Sequence, residues 1–459
     1  MMYVHEPGRR IQVIRRVDVL VVGGGPAGFG AAVASARNGA ATLVVERYGF
    51  LGGMFTAGLV RWLPTDKLVP LEAYGETRPL QGGIVTELLD RLLVVGGAIS
   101  PSVSEPVSGS GIYFPTDPEM AKVILIQMLD EAGVETLLHA LAVGTITAGN
   151  RVSGIIIESK SGRQAILAEV VIDASGDADI AAYAGSDYEK APEPLTMTLQ
   201  GFVANVDCAR AKEMSGTKNL DWFNRLVNNA VEQGELIVGE KRVLPELPPT
   251  KLMPLSVLDP ERIPANWLRH GEVSGWLEST LGDATDVFDL TRAELVTRKN
   301  LLSILSFYRK YMPGYENAYL SSTGAQVGIR ESRRVRGEYY LTADRDIRQG
   351  LTHADAIVKC RAGDVCSPET YTPQRFPVFD IPYRCLVPKT TEGLLVAGRC
   401  ISIDHKSASF LSPRDISTCI CVGQAAGTAA ALSVQRHVWP RGVSVSDLRG
   451  TLRKQGANL

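Results

Sequence analysis

Neither sign of charge dominates this chain: 48 lysines and arginines face 50 aspartates and glutamates, for a formal net charge of −2. The balance leaves no basic footprint for nucleic acid and no global attraction to an anionic membrane. Cysteine is scarce, with seven in 459 residues and only Cys208 before residue 360. An odd, scattered set excludes a disulfide framework and reads as reduced thiols. Cys360 with Cys366 and Cys419 with Cys421 are the close pairs, and each is read as buried free cysteine. The first sixteen residues are charged and lack an apolar run, so neither a signal peptide nor a membrane span is expected, and a cytoplasmic location is. No repeat or low-complexity tract is evident. With 45% hydrophobic and 21% charged residues the composition is that of an ordinary globular protein. The length exceeds one compact core and predicts two domains.

What is present is organised around Val17 to Glu46. An aliphatic run, Val17-Asp-Val-Leu-Val-Val22, ends in Gly23-Gly24-Gly25-Pro26-Ala27-Gly28, and the hydrophobic period then changes from strand-like to helical. Strand, tight turn and helix open a dinucleotide fold. Gly23 permits the sharp exit, Gly25 lets backbone N–H groups approach a pyrophosphate, and Gly28 lets helix and strand lie close. The phosphates would meet the helix N-terminus, where unpaired N–H groups and the macrodipole favour negative charge. Glu46 ends the second strand 18 residues after Gly28, where a carboxylate can accept hydrogen bonds from a ribose.

The pair Gly52-Gly53, before Met54, would let backbone pass beside a longer cofactor, which favours FAD over NAD. Residues 61 to 83 and 98 to 115 read as loops of the kind that cover a ligand site. Asp117-Pro118-Glu119 starts a helix that ends at Gly133, and Val134 to His139 reads as a parallel strand, with no role for His139. Leu141 to Ala148, Val152 to Ser159 and Gln164 to Val171 form a β-meander. It runs into Asp173-Ala-Ser175-Gly176-Asp177, a second turn where backbone can approach a ligand.

From Ser186 to about Leu320 the character changes. Trp222, Trp267 and Trp276, prolines between 245 and 264, and a helical pattern from Thr291 to Tyr311 closed by Pro313-Gly314 suggest an inserted substrate or cap unit. Residues 326 to 336 carry Arg330, Arg333, Arg334 and Arg336 on a strand-like segment, which divides them between two faces. They are either ion-paired or aimed at an anionic group. The last unit holds Ile381-Pro-Tyr383-Arg384-Cys-Leu-Val-Pro388, Val396-Ala-Gly398-Arg399, and a small-residue helix from Asp415 to Val434 containing Gly423-Gln-Ala-Ala-Gly427. Its N-terminus would face the flavin's pyrimidine edge.

These separated blocks together resemble the FAD-dependent oxidoreductases of the two-dinucleotide-binding-domain flavoprotein superfamily. The likeness extends distantly to fumarate reductase flavoproteins and to tRNA-modifying and thiazole-forming relatives. The resemblance implies an α/β fold: a Rossmann-like, glutathione-reductase-type FAD-binding domain with an inserted β-meander, and a second α+β substrate domain. The expected boundaries are 1–185, 186–325 and 326–459. It implies FAD held by Gly23, Gly25, Pro26, Ala27, Gly28, Glu46, Arg47, Gly52, Gly53 and Met54. The Ser175-Gly176 turn and Gly398-Arg399 would join them, with Arg414 near the isoalloxazine and Ala142 offering backbone to adenine.

Further absences narrow the chemistry. No second glycine fingerprint marks an NAD(P)H domain, no C-x4-C redox pair follows Glu46, and Ala-Gly-Arg-Cys replaces the Gly-Asp form of aromatic-ring hydroxylases. What remains is hydride exchange between a small polar substrate and flavin N5, with an undetermined electron acceptor. His405 is the candidate base, because its ordinary pKa suits proton transfer near neutrality. Arg330 or Arg333, with Tyr383 or Arg384, would hold the substrate. No metal or nucleic acid is expected, and a homo-oligomer is compatible. Flavin-dependent RNA modification and a non-redox dinucleotide-binding role stand as alternatives.

Overall fold

The computed structural model describes residues 10–64, 78–99, 113–215, 220–238, 271–361, 377–409 and 412–459, with 4, 8 and 68 besides. The strand Gln12–Val22 lies inside a seven-stranded sheet, and its last four residues are buried. A run apolar on both faces suits a strand covered by helices on each side. On one edge it pairs in parallel with Thr42–Val45, which in turn pairs with Glu135–Leu137. On the other it pairs in parallel with Gly162–Asp173. The crossover helices are Pro26–Arg37 and Pro118–Glu131. The second begins as the sequence predicts, with the Asp117 carboxylate accepting from the backbone N–H groups of Glu119 and Met120.

Leu141–Ala148, Arg151–Ser159 and Gly162–Asp173 pair antiparallel in succession, so the meander is present. Its long last strand serves two partners. Gly162 to Leu167 pairs with the hairpin, while Val171 to Asp173 pairs in parallel with Leu394–Val396. That second pairing carries the C-terminal part of the chain to the end of the strand that opens the 173–177 turn.

The helix Ile416–Arg436 completes this half by lying against Pro26–Arg37 at backbone distance. A Cβ on Gly423 would stand 2.0 Å from the Ala27 carbonyl oxygen, and one on Gly427 2.0 Å from that of Ala31. Glycine is the one residue that fits either position. Among the described residues this helix alone is long and apolar enough to cross a membrane, and 94% of its apolar window is buried in the protein, as befits a core helix.

Buried hydrophobic residues divide into two clusters, one drawn from 17–181 and 335–452 and the other from 197–329. The second forms on Leu195–Ala204, which pairs antiparallel with Val273–Gly282 on one edge and with Tyr319–Thr323 and Gly328–Ile329 on the other. The single helix expected from Thr291 to Tyr311 is two helices, Val287–Lys299 and Leu301–Tyr311. They meet at Asn300, whose amide donates to Glu278 Oε2 at 3.0 Å.

The strand expected over 326 to 336 is likewise divided. Gly328–Ile329 joins the second sheet, and Arg333–Val335 pairs with Tyr188–Lys190. The predicted loops contain one ribbon, Trp62–Pro64 with Tyr113–Pro115. Their residues 65–67, 69–77 and 100–112, together with Trp267, the prolines between 245 and 264 and Cys366, lie outside the described residues. Cys360, Cys385, Cys400, Cys419 and Cys421 are buried thiols outside any disulfide.

Candidate active site

The glycine turn is built from backbone. A Cβ on Gly28 would lie 1.7 Å from the Gly23 carbonyl oxygen, so helix and strand meet without a side chain between them. Gly25 is different: a Cβ there would meet only the Gly53 Cα, at 3.8 Å, and would fill the space in front of the helix N-terminus. The Gly52 N–H donates to the Gly24 carbonyl at 2.8 Å and brings the two glycine segments together. Glu46 is 5% exposed. Its carboxylate accepts from Gly24 N at 2.7 Å and Tyr48 N at 2.9 Å, which fixes the end of the second strand to the turn. Each carboxylate oxygen keeps lone-pair capacity for a further donor.

Beyond Glu46, two of the predicted contact residues reach across to the second cluster. Arg47 Nη2 donates to Gln326 Oε1 at 2.6 Å, and Gln326 Nε2 lies 3.6 Å from Met54 Sδ. The Tyr48 hydroxyl also donates to Gln326. Gln326 thus ties the end of the second strand to the segment that precedes the arginines. Ala142 is half-buried on the first meander strand, opposite Ile157.

The second turn is braced by a buried acid. Asp173 accepts from Ser175 N at 3.1 Å, Ser175 Oγ at 2.6 Å and Ala181 N at 2.9 Å. Burial pushes its carboxyl up to about 6 against the pull of those donors. Gly176 lies beneath the Arg399 guanidinium, 3.0 Å from where its Cβ would stand. Arg399 in turn donates to Asp177 Oδ1 at 2.6 Å, and a Cβ on Gly398 would stand 3.1 Å from the Ala27 methyl group. The turns at 23–28, 173–177 and 398–399 therefore converge.

Residues 331 to 334 fasten one end of this convergence with side chains. Ser332 Oγ donates to Asp177 Oδ1 at 2.6 Å, and Arg333 Nη1 donates to Asp179 Oδ1 at 2.8 Å and the Asp177 carbonyl at 3.0 Å. Glu331, 5% exposed, pairs with Arg334 Nε at 2.5 Å and with His405 Nδ1 at 2.9 Å. Arg334 is 1% exposed and also donates to the Ile403 carbonyl at 2.7 Å. His405 begins a short helix and keeps part of its ring exposed. Its hydrogen bond to Glu331 raises the imidazole pKa above the ordinary value, and burial opposes that rise.

Several predicted residues sit differently from expectation. Tyr383 is 2% exposed, and its hydroxyl donates to the Pro440 carbonyl at 2.7 Å. The aromatic ring belongs to the core. Arg384 forms a two-point pair with Asp355, at 2.9 and 3.1 Å, on a partly exposed surface. The guanidinium of Arg333 is committed to Asp179 and the Asp177 carbonyl, which selects the ion-paired reading of that residue over the substrate-binding one. Arg330 is half-buried in the bend between the two short strands. Arg414 ends the short turn before the closing helix. That helix is capped by Asp415, which accepts from Thr418 N at 2.8 Å, so its first turn is not a bare anion site. Glu331, Gln326 and Asp177 were assigned no role from sequence; an acid beside arginines carries no local signal of a histidine 74 residues away.

A family model described as FAD dependent oxidoreductase matches residues 18–452. The chain belongs to this family. It is accordingly a FAD-dependent oxidoreductase, and FAD is its cofactor. A digeranylgeranylglycerophospholipid reductase of Methanococcoides burtonii is 24% identical over 197 residues, 41% of this chain and 45% of that protein. A thiamine thiazole synthase of Aeropyrum pernix is 31% identical over 142 residues, 31% of this chain and 44% of that protein. The chain thus matches less than half the length of these curated relatives. Among solved structures, a geranylgeranyl bacteriochlorophyll reductase-like protein from Thermoplasma acidophilum aligns over 96% of this chain and 84% of that one, with a TM-score of 0.46 and 14% identity.

The residues present fit the cofactor. The open face of Gly25 is a cradle that a Cβ would fill, and Arg399 Nε is buried without a hydrogen-bond partner beside the second turn. Gly23, Gly25, Pro26, Ala27 and Gly28 would hold the diphosphate, Glu46 the ribose, and Gly52, Gly53 and the 398–399 turn the chain beyond it. Bound FAD supplies a two-electron acceptor and donor that no side chain provides.

Proposed function

We propose that this oxidoreductase exchanges a hydride between FAD and a small polar substrate, using no nicotinamide domain of its own. The observation that carries the reading is the chain Arg334–Glu331–His405, set beside the convergence of the three turns. Hydride removal from a C–H beside oxygen or nitrogen releases a proton, and a histidine oriented by a carboxylate on one ring nitrogen is a base suited to take it near neutrality. Glu331 fixes the tautomer and orientation of His405, and Arg334 neutralises the buried carboxylate. Arg330, in the adjacent bend, is the side chain proposed to hold an anionic or carbonyl group of the substrate.

Residues 186–325 are proposed to supply the far wall of the substrate site, with 1–185 and 326–459 holding FAD. Electrons would leave to a separate acceptor, and the reaction is proposed to be cytoplasmic and independent of nucleic acid. Family membership sets aside the non-redox alternative. The test is anaerobic bleaching of the flavin absorbance by a panel of small hydroxy and amino compounds, with NADH and NADPH as parallel arms. Saturable bleaching by one panel class is expected. Rapid saturable bleaching by NADH or NADPH alone would contradict the proposal.

A further inference from the structure

The helix Val287–Lys299 turns one side to the second cluster and shows large apolar residues on the other. Ala293 and Thr297 are its buried residues. Phe288 and Leu295 stand seven residues apart, two turns along the opposite side, and are 81% and 53% exposed. Val287 beside them is 66% exposed. Side chains of this size, grouped on one helix and clear of the core, mark a contact surface.

The charges on the helix say what fits that surface. Arg292 pairs with Asp289 at 2.8 Å and Arg298 pairs with Glu294, both within the helix. That leaves Asp286, whose carboxylate caps the start by accepting from Phe288 N and Asp289 N at 2.9 Å each, and Lys299 at the end. Neither makes an ion pair among the described residues. The face is therefore acidic at its start and basic at its end. A surface of uniform charge, such as an anionic membrane, repels one end whichever way the helix lies on it. A second copy lying antiparallel inverts the order and satisfies both ends. A two-fold axis crossing the helix between Thr291 and Arg292 does so in register. Phe288 of each copy then meets Leu295 of the other, because the two lie equally far from the axis. Lys299 of one copy falls opposite residue 284 of the other, about 3 Å along the helix from Asp286. Thr291, exposed, stands at the axis, where the copies come closest.

We infer that this face is a homodimer interface, in which two copies of Val287–Lys299 pair antiparallel through Phe288 and Leu295. One patch meeting itself across a two-fold axis is the commonest way for a chain to close into a dimer. A single helix of 13 residues offers less than the roughly 800 Å² per partner of a standard interface, so the dimer is weak and forms in the micromolar range. The inference is independent of the hydride proposal. The test is sedimentation velocity of the FAD-loaded protein from low to high micromolar concentration. The wild type passes from monomer to dimer. Leu295→Glu, which sets a carboxylate against Phe288 of the other copy, raises the dissociation constant about a hundredfold, the scale of a central contact residue. Lys299→Glu raises it about threefold to fivefold, as for an exposed ion pair. Under mild oxidation Thr291→Cys links two copies through a disulfide, and Asp130→Cys, exposed on the other half of the molecule, does not. A wild type that stays monomeric overturns the inference, as does a dimer that Leu295→Glu leaves unchanged. Thr291→Cys linking no faster than Asp130→Cys overturns the antiparallel register. A monomer that binds phosphatidylglycerol vesicles and loses them on Leu295→Glu gives the face to a membrane instead.

Discussion

The glycine turn at residues 23–28 and the polar seam at 331–334 with 399–405 are made in opposite ways. The turn is shaped by the absence of side chains: Gly28 and Gly423 let carbonyl oxygens approach to distances no Cβ tolerates, and Gly25 leaves a face open. The seam is shaped by charged side chains that satisfy one another, Ser332 and Arg399 on Asp177, Arg333 on Asp179, and Arg334 with His405 on Glu331. Binding the cofactor's phosphates asks for backbone in one fixed shape. Moving a proton asks for titratable groups tuned by their neighbours. On the proposed reading, one protein places these two demands in adjacent structures with different tolerances to substitution.

The largest effect should come from filling the turn. Gly28→Leu would drive a side chain into the Gly23 carbonyl, and the expected result is protein without flavin absorbance and with a broad, low thermal transition. Glu331→Ala attacks the seam instead. It leaves the buried Arg334 with the Ile403 carbonyl and a Glu189 oxygen 3.8 Å away. Removing one partner of a buried pair costs about 3–5 kcal/mol, to be read from denaturant unfolding.

A gentler change separates charge from shape. Glu331→Gln keeps the volume and removes the carboxylate that raises the His405 pKa. Neutral imidazole is the form that accepts a proton, so the rate of substrate oxidation should rise with pH through the raised pKa, and the variant should move that limb to lower pH. The same raised pKa means that the pair's stabilisation is full below the ordinary histidine value and is lost as pH rises through the folded value. An NMR titration of His405 checks both signs. The smallest effect is expected outside both regions: Tyr383→Phe removes the hydrogen bond to Pro440 and should cost about 1 kcal/mol without changing turnover.

The same contrast explains what could be read from the chain. Strand, turn and helix, with an acid closing the second strand, were legible because glycines at fixed spacing leave few alternatives, and the meander was legible from its alternation and short turns. Helix ends at Asp117 and Gly133 followed from local capping chemistry. The break at Asn300 did not, because it depends on Glu278 from another element. Nor did the fate of the arginines. Four lie within seven residues, and what Arg333, Arg334 and Arg336 face is decided by Asp177, Asp179, Glu189 and Glu331, brought together only by folding. Tyr383 and Arg384 looked like substrate residues because they share a conspicuous block, and the fold gives one to Pro440 and the other to Asp355.

The most direct measurement compares His405→Ala with the wild type as FAD-loaded enzymes, recording FAD affinity and the anaerobic rate of flavin reduction by the substrate found in the panel. The account predicts an unchanged FAD dissociation constant, since the turn is intact, and a reduction rate lower by about 10²–10⁴, the usual contribution of a positioned base. An unchanged rate, or a loss of FAD affinity that accounts for the whole effect, would contradict it.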